Sequence, residues 1–153
     1  MGSLALINLS LHVLAAFVWI GSSVFLTLLW FIPVRGTIDQ ISWEQLHLAL
    51  GKRYLRWSWL AIEILLLTGI FNLLRVGIDS GFSFQPAFVR RLTGKLLIVL
   101  LMIGLQAGLG LVWFPRLAQV RFAGAAEQAV RRALVAITAG GGAALWLAMV
   151  LHT

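Results

Sequence analysis

Four apolar runs, each long enough to cross a bilayer, leave this 153-residue chain few folds to choose from. They lie at about 4–32, 55–75, 94–114 and 133–151, and a spanning helix needs about 20 such residues. Backbone amides have no water to bond inside lipid, so each run closes its own hydrogen bonds as a helix. The expectation is an all-α integral membrane protein, a single four-helix bundle covering residues 1–153. Short connections make neighbouring helices antiparallel. Hydrophobic residues make up 61% of the chain, only 11% is charged and the mean hydropathy is +0.97, which excludes an ordinary soluble domain.

The net charge of +7 does not point to nucleic acid, because the basic residues cluster at the ends of the apolar runs. The first and third connections, with the adjoining helix ends, carry Arg35, Lys52, Arg53, Arg56, Arg116, Arg121, Arg131 and Arg132. The opposite side carries Arg75, Arg90, Arg91 and Lys95. Positive residues favour the inside, so both termini are expected outside, in a multi-pass protein of the cell's inner (cytoplasmic) membrane. The first run lacks the basic start of a secretory signal peptide and reads as retained. With no cysteine, disulfides and thiolate chemistry are excluded.

Helix one has two faces. Asn8, His12, Trp19, Ser23, Thr27 and Trp30 fall within about 60° of one line at helical spacing. Leu6, Leu14, Phe17, Val24 and Leu28 lie opposite. Residues 41–56 carry Trp43, Leu46, Leu50 and Tyr54 at helical spacing and predict an interfacial helix, with Lys52, Arg53 and Arg56 at lipid phosphates. Val76 to Ala87 reads as a loop over the outer end of the bundle. Gly140, Gly141 and Gly142 predict close helix packing.

Titratable groups inside a span face the bundle interior or the interface. His12 lies about 12 Å along its helix. It is either a ligand to haem iron or copper, or a histidine hydrogen-bonded to a neighbouring helix through Asn8 or Ser23. Lys95 opens the third span, sharing a face with Met102, Gln106 and Trp113. It either snorkels to headgroups or, with Arg90 and Arg91, pairs with carboxylates such as haem propionates. Glu63, in the second span, is expected to be protonated, paired with Arg56 or part of a proton path. Thr68, Gly69 and Asn72 occupy a different face and suggest a second interhelical contact. The remaining histidines are His47, in the inner connection, and His152, on the His12 side. Met102 and Met149 are the only soft ligands beyond the initiator, and there is no zinc, P-loop or nucleophile motif.

The segment Leu11-His12-Val13-Leu14-Ala15-Ala16-Phe17-Val18-Trp19-Ile20-Gly21 resembles the first helix of the copper resistance protein D (CopD) family. The Leu66–Asn72 stretch and the Thr93-Gly94-Lys95-Leu96-Leu97 opening of the third span resemble the same family. The outline is also similar to the HemJ-type protoporphyrinogen oxidases, four-helix proteins that bind haem b. That second resemblance implies His12 as haem ligand and Lys95 as a functional lysine, although Gln106 stands where a further histidine is expected.

Together these features lead to a haem b protein carrying electrons within the bilayer, alone or in a redox complex. His12 is the axial ligand, Trp19 and Ser23 line the pocket, Lys95, Arg90 and Arg91 neutralise propionates, and His152 is the candidate second histidine. The alternatives are a CopD-like copper transport or resistance protein using His12, Met102 and Met149, and a non-catalytic accessory subunit. The expected surroundings are the lipid bilayer and either a homo-oligomer or partner membrane subunits.

Overall fold

The structure, a computed structural model, describes residues 3–31, 39–119 and 124–150. Helix α1 runs Ser3–Phe31, α2 Gln40–Asp79 and α3 Pro86–Gly108. A π turn at Leu109–Trp113 joins α3 to α4, Phe114–Gln119, and α5 runs Ala125–Val150. Four helical stretches are long and apolar enough to cross a membrane, as the sequence predicts, and no strand occurs among the described residues.

The bundle is arranged as an open arc. α1 packs against α2 along much of its length, α5 packs against both α1 and α3, and the α2 and α3 backbones hardly approach each other. Side chains bridge that last gap: Leu55 and Trp59 of α2 reach Gly110 beyond the end of α3. The core contains Trp19, Leu26, Ile62, Met102, Leu109, Leu134 and Ile137, all nearly or wholly buried.

The boundaries differ from expectation in three places. Residues 41–56 do not form a separate interfacial helix. They continue into the second span as one 40-residue helix, about 60 Å long. No proline interrupts this stretch, and its aromatic residues find partners inside the bundle. Trp43 and Tyr54 are buried, and the His47 ring lies between Trp43 and Trp30, with centroids 3.8 and 4.8 Å away. The Phe114 ring fills the space beside Gly51. Lys52, Arg53 and Arg56 do point outward, as expected. Asp39 caps the helix, accepting from the Ser42 hydroxyl at 2.6 Å and the Ser42 amide at 2.9 Å. Those two bonds hold the Asp39 carboxyl below its ordinary range.

The second connection is shorter than Val76–Ala87 and folds onto its own helix rather than over the bundle. The Ser80, Gly81 and Phe82 amides donate to the Val76, Ile78 and Gly77 carbonyls. Gly81 and Phe82 take φ of 58° and 59°, left-handed values that a bulky residue seldom adopts. The Phe82 ring sits where a side chain on Gly77 would stand. α3 then starts at Pro86, whose missing N–H costs nothing in a first turn.

The third span extends beyond 114 through its π turn. Pro115 offers no N–H to the preceding turn and its ring crowds the carbonyl four residues back; the wider turn immediately before it accommodates both effects.

Candidate functional site

The polar stripe of α1 divides into two clusters at different depths. In the first, Asn8 and His12 stand one turn apart on α1 and meet Thr68 and Asn72, one turn apart on α2. The Asn8 amide donates to the Asn72 side-chain oxygen at 2.8 Å and to the Thr68 carbonyl at 3.1 Å. His12 Nδ1 lies 2.8 Å from Thr68 Oγ1, whose own hydrogen is directed at the Ile64 carbonyl 2.6 Å away. With that hydrogen engaged, Thr68 acts as acceptor and His12 Nδ1–H as donor. The ring is then held in the tautomer whose Nε2 lone pair can bind a metal. Gly69 lies beside the ring: a β-carbon there would stand 3.5 Å from His12 Cε1, an ordinary van der Waals contact.

Lys95 of α3 is half-buried and close enough to act on the His12 ring electrostatically. Three helices therefore contribute to one place: His12 and Asn8 from α1, Thr68, Gly69 and Asn72 from α2, and Lys95 from α3. The second interhelical contact expected of Thr68, Gly69 and Asn72 is the one that orients His12. Arg90 is exposed and Arg91 half-buried, both more than a turn before Lys95 near the start of α3. His152 lies outside the described residues.

The second cluster is deeper and fully enclosed. Ser23 Oγ donates to the Trp19 carbonyl at 2.8 Å and lies 3.0 Å from the Tyr54 hydroxyl. Tyr54 donates to Gln106 Oε1 at 2.6 Å, and Gln106 Nε2 donates to Ser58 Oγ at 2.6 Å. This chain of bonds ties α1, α2 and α3 together where the α2 and α3 backbones stand apart. Thr27 extends the polar link to Thr138 of α5 at 3.1 Å. Ser23 is eleven residues from His12, about 16 Å along the axis, so it belongs to this cluster and not to the surroundings of His12. Trp19 is buried in the core between the two levels. The sequence places Tyr54 on an interfacial helix and Gln106 on the Lys95 face, where a further histidine is expected, and pairs neither with the other. The available signal was that Tyr54 is the only tyrosine and Gln106 the only side-chain amide within the apolar run 94–114.

Removing Gln106 or Tyr54 from this network leaves buried partners with fewer bonds. Tyr54→Phe and Gln106→Leu should each cost roughly 1–2 kcal/mol in lipid or detergent. The double variant should cost clearly less than the sum, since both substitutions remove the same bond. Unfolding by a denaturing detergent measures all four corners of this cycle, and strict additivity would contradict the network.

The soft ligands do not join His12. Met102 is buried and packs where side chains on Gly140 would stand, with Ile20 of α1 similarly against Gly141. Met102 is therefore level with Ile20, about 12 Å along the axis from His12. Met149 is 72% exposed on the outside of α5. His47 sits buried among the aromatics at the opposite end of the bundle, its Nδ1 2.9 Å from the Trp43 carbonyl. Among the described residues, no three His, Asp or Glu side chains come together. Of the roles expected of Glu63, the pairing with Arg56 does not occur: Glu63 is exposed on the face of α2 turned away from α1 and makes no ion pair with Arg56 among the described residues. Arg56 shares its stripe but lies two turns away, about 10 Å along the axis.

A family model for copper resistance protein D matches residues 48–151, more than half of the chain. The chain belongs to the copper resistance protein D family. The match takes in Leu66–Asn72 and Thr93–Leu97, two of the three segments that suggested CopD, and so includes Thr68, Gly69, Asn72 and Lys95 around His12. It begins after α1, so His12 itself joins these CopD segments through its position in the fold. Searches of curated proteins and of solved structures find no matching relative. The HemJ-type likeness draws no support from these comparisons.

Proposed function

We propose that the protein handles copper at the membrane, as a resistance or transport component with His12 as the copper ligand. Membership of the copper resistance protein D family carries this reading. The local geometry supports it: Thr68 fixes the His12 ring with Nε2 as the metal-binding nitrogen. Neutral imidazole suits copper well. The Thr68 carbonyl and the Asn72 side-chain oxygen accept from the Asn8 amide, and Thr68 Oγ1 accepts from His12, so these oxygens position the ring rather than compete for the ion.

A single imidazole holds copper loosely, which suits an ion that must arrive and leave. In this reading both termini face outward, and His12 is the entry station on that side. The ion's remaining ligands come from its carrier or from a partner subunit, because Met102 and Met149 are too distant to share it. The haem assignment has less support. It has His12, but the described histidine His47 lies at the other end of the bundle, and Ser23 bonds within the deeper cluster.

Purified protein from copper-replete and haem-replete cells should carry copper by mass spectrometry, or take up Cu(I) under reducing conditions, and show no Soret band. A Soret band without copper would replace this reading with the haem one. Protein carrying neither, in membranes that confer no change in copper tolerance, would make it an accessory subunit.

A further inference from the structure

We propose that the groove between α1 and α2 beside Arg53 binds one anionic phospholipid, with its phosphate on Arg53 and an acyl chain along the groove. The inference does not depend on the copper reading. Val18, Phe25 and Leu26 of α1 face Leu50, Arg53 and Trp57 of α2 across a groove of about 240 Å³. The α2 residues are three and four apart and the α1 residues seven and eight, so each set forms one stripe. The groove therefore runs along the helices, for about 10 Å. Leu26 is buried at its base, while Val18, Phe25 and Trp57 are exposed, so it opens to lipid. Its volume lies below the roughly 300–1,000 Å³ of sites for compact small molecules, and its length suits a chain.

An apolar groove alone accepts any acyl chain, and a basic patch alone attracts any anion; here the two adjoin. Lys52, Arg53 and Arg56 are all exposed. Lys52 and Arg56 are four residues apart and Arg53 and Arg56 three, spacings at which like charges on a helix repel. Among the described residues no carboxylate pairs with any of the three. Glu44 and Glu63, the nearest acids along α2, stand about 14 Å or more from Arg53 along the axis.

Depth and charge together select the ligand. Residues 57–74 of α2 carry no charge except Glu63, so Arg53 and Arg56 stand where the apolar run begins, at the depth of lipid phosphates. Trp57 is exposed at the same boundary, where tryptophan rings prefer to sit. The half of the groove toward Val18 and Trp57 then lies on the hydrocarbon side, in line with a chain hanging from a phosphate on Arg53. A guanidinium binds phosphate through two parallel hydrogen bonds. A net negative lipid also relieves the repulsion among the three cations. A zwitterionic headgroup brings a cation of its own and relieves it less.

Purified protein in a neutral detergent, titrated with phosphatidylglycerol or phosphatidylcholine and read by native mass spectrometry, tests the site. One phosphatidylglycerol should bind about fivefold to thirtyfold more tightly than phosphatidylcholine, at about fivefold per favourable charge. Arg53→Gln should lose about fivefold toward phosphatidylglycerol and little toward phosphatidylcholine. Arg132→Gln, an equally exposed arginine on α5, should bind like the parent. Val18→Trp fills the groove without changing charge and should weaken both lipids. Glycerol 3-phosphate, an anion without chains, should not displace bound phosphatidylglycerol at equal concentration. Equal affinity for the two lipids, or a loss in Arg132→Gln as large as in Arg53→Gln, would overturn the site. Displacement by glycerol 3-phosphate, or undiminished binding in Val18→Trp, would overturn it too, leaving only a basic surface that attracts anions.

Discussion

His12→Ala should abolish copper binding, while Thr68→Val should weaken it by about tenfold to a hundredfold, the usual cost of losing an orienting partner. The two variants separate ligand from positioning residue. Alanine removes the only imidazole at this end of the described structure, the ligand in the copper reading. Valine keeps the size of threonine and leaves Nε2 in place, but it removes the acceptor for Nδ1–H. The ring then loses both its fixed orientation and its preferred tautomer. Thr68→Ser retains the hydroxyl and should bind close to the parent value. Competition with a Cu(I) chelator measures all three affinities in detergent, and copper tolerance of the host reports the same order. Equal affinity in the parent and His12→Ala would remove His12 from the site. Equal affinity in Thr68→Val and the parent would mean that Thr68 only joins helices.

The second large effect lies in the glycine run of α5, where three adjacent positions should respond differently. A β-carbon on Gly141 would stand 2.9, 3.0 and 3.2 Å from three carbons of Ile20. Ile20 is branched at Cβ and has little freedom to move aside. Gly141→Val should therefore force α5 away from α1 and cost about 1–3 kcal/mol or more. A β-carbon on Gly140 meets Met102 Cγ at 2.9 Å and Sδ at 3.1 Å, but that side chain is flexible, so Gly140→Ala should cost less. Nothing stands within 4 Å of the corresponding point on Gly142. Gly142→Ala should be neutral or gain up to about 1 kcal/mol from helix propensity. Unfolding measured in one detergent across the three variants checks the order; a loss at Gly142 equal to that at Gly141 would contradict the packing.

The stripe on α1 shows how far a single helix can be read. Its period correctly placed Asn8, His12, Trp19 and Ser23 on the side that faces other helices, because facing is a property of one chain segment. It could not show that His12 and Ser23 belong to separate clusters. That depends on where Thr68 and Tyr54 arrive from α2, which is set by helix register and crossing angle. Glu63 shows the converse limit. Its cost in lipid was evident from residue type and position, and Arg56 was the nearest charge of opposite sign in sequence. The fold turned the whole stripe outward instead, because α2 uses its other face for α1.

Hydrophobic run length and basic flanks by themselves determined the class, the number of spans and the antiparallel course, since lipid leaves a buried backbone no alternative to a helix. Segments at Leu66–Asn72 and Thr93–Leu97 also carried the likeness to CopD. Only the tertiary structure decided that α2 runs unbroken through the expected interfacial segment and that Thr68 orients His12. It also decided that Gln106 and Tyr54 close the gap between α2 and α3. Each of these depends on which side chains meet across helices, and local propensity and hydropathy contain no information about that.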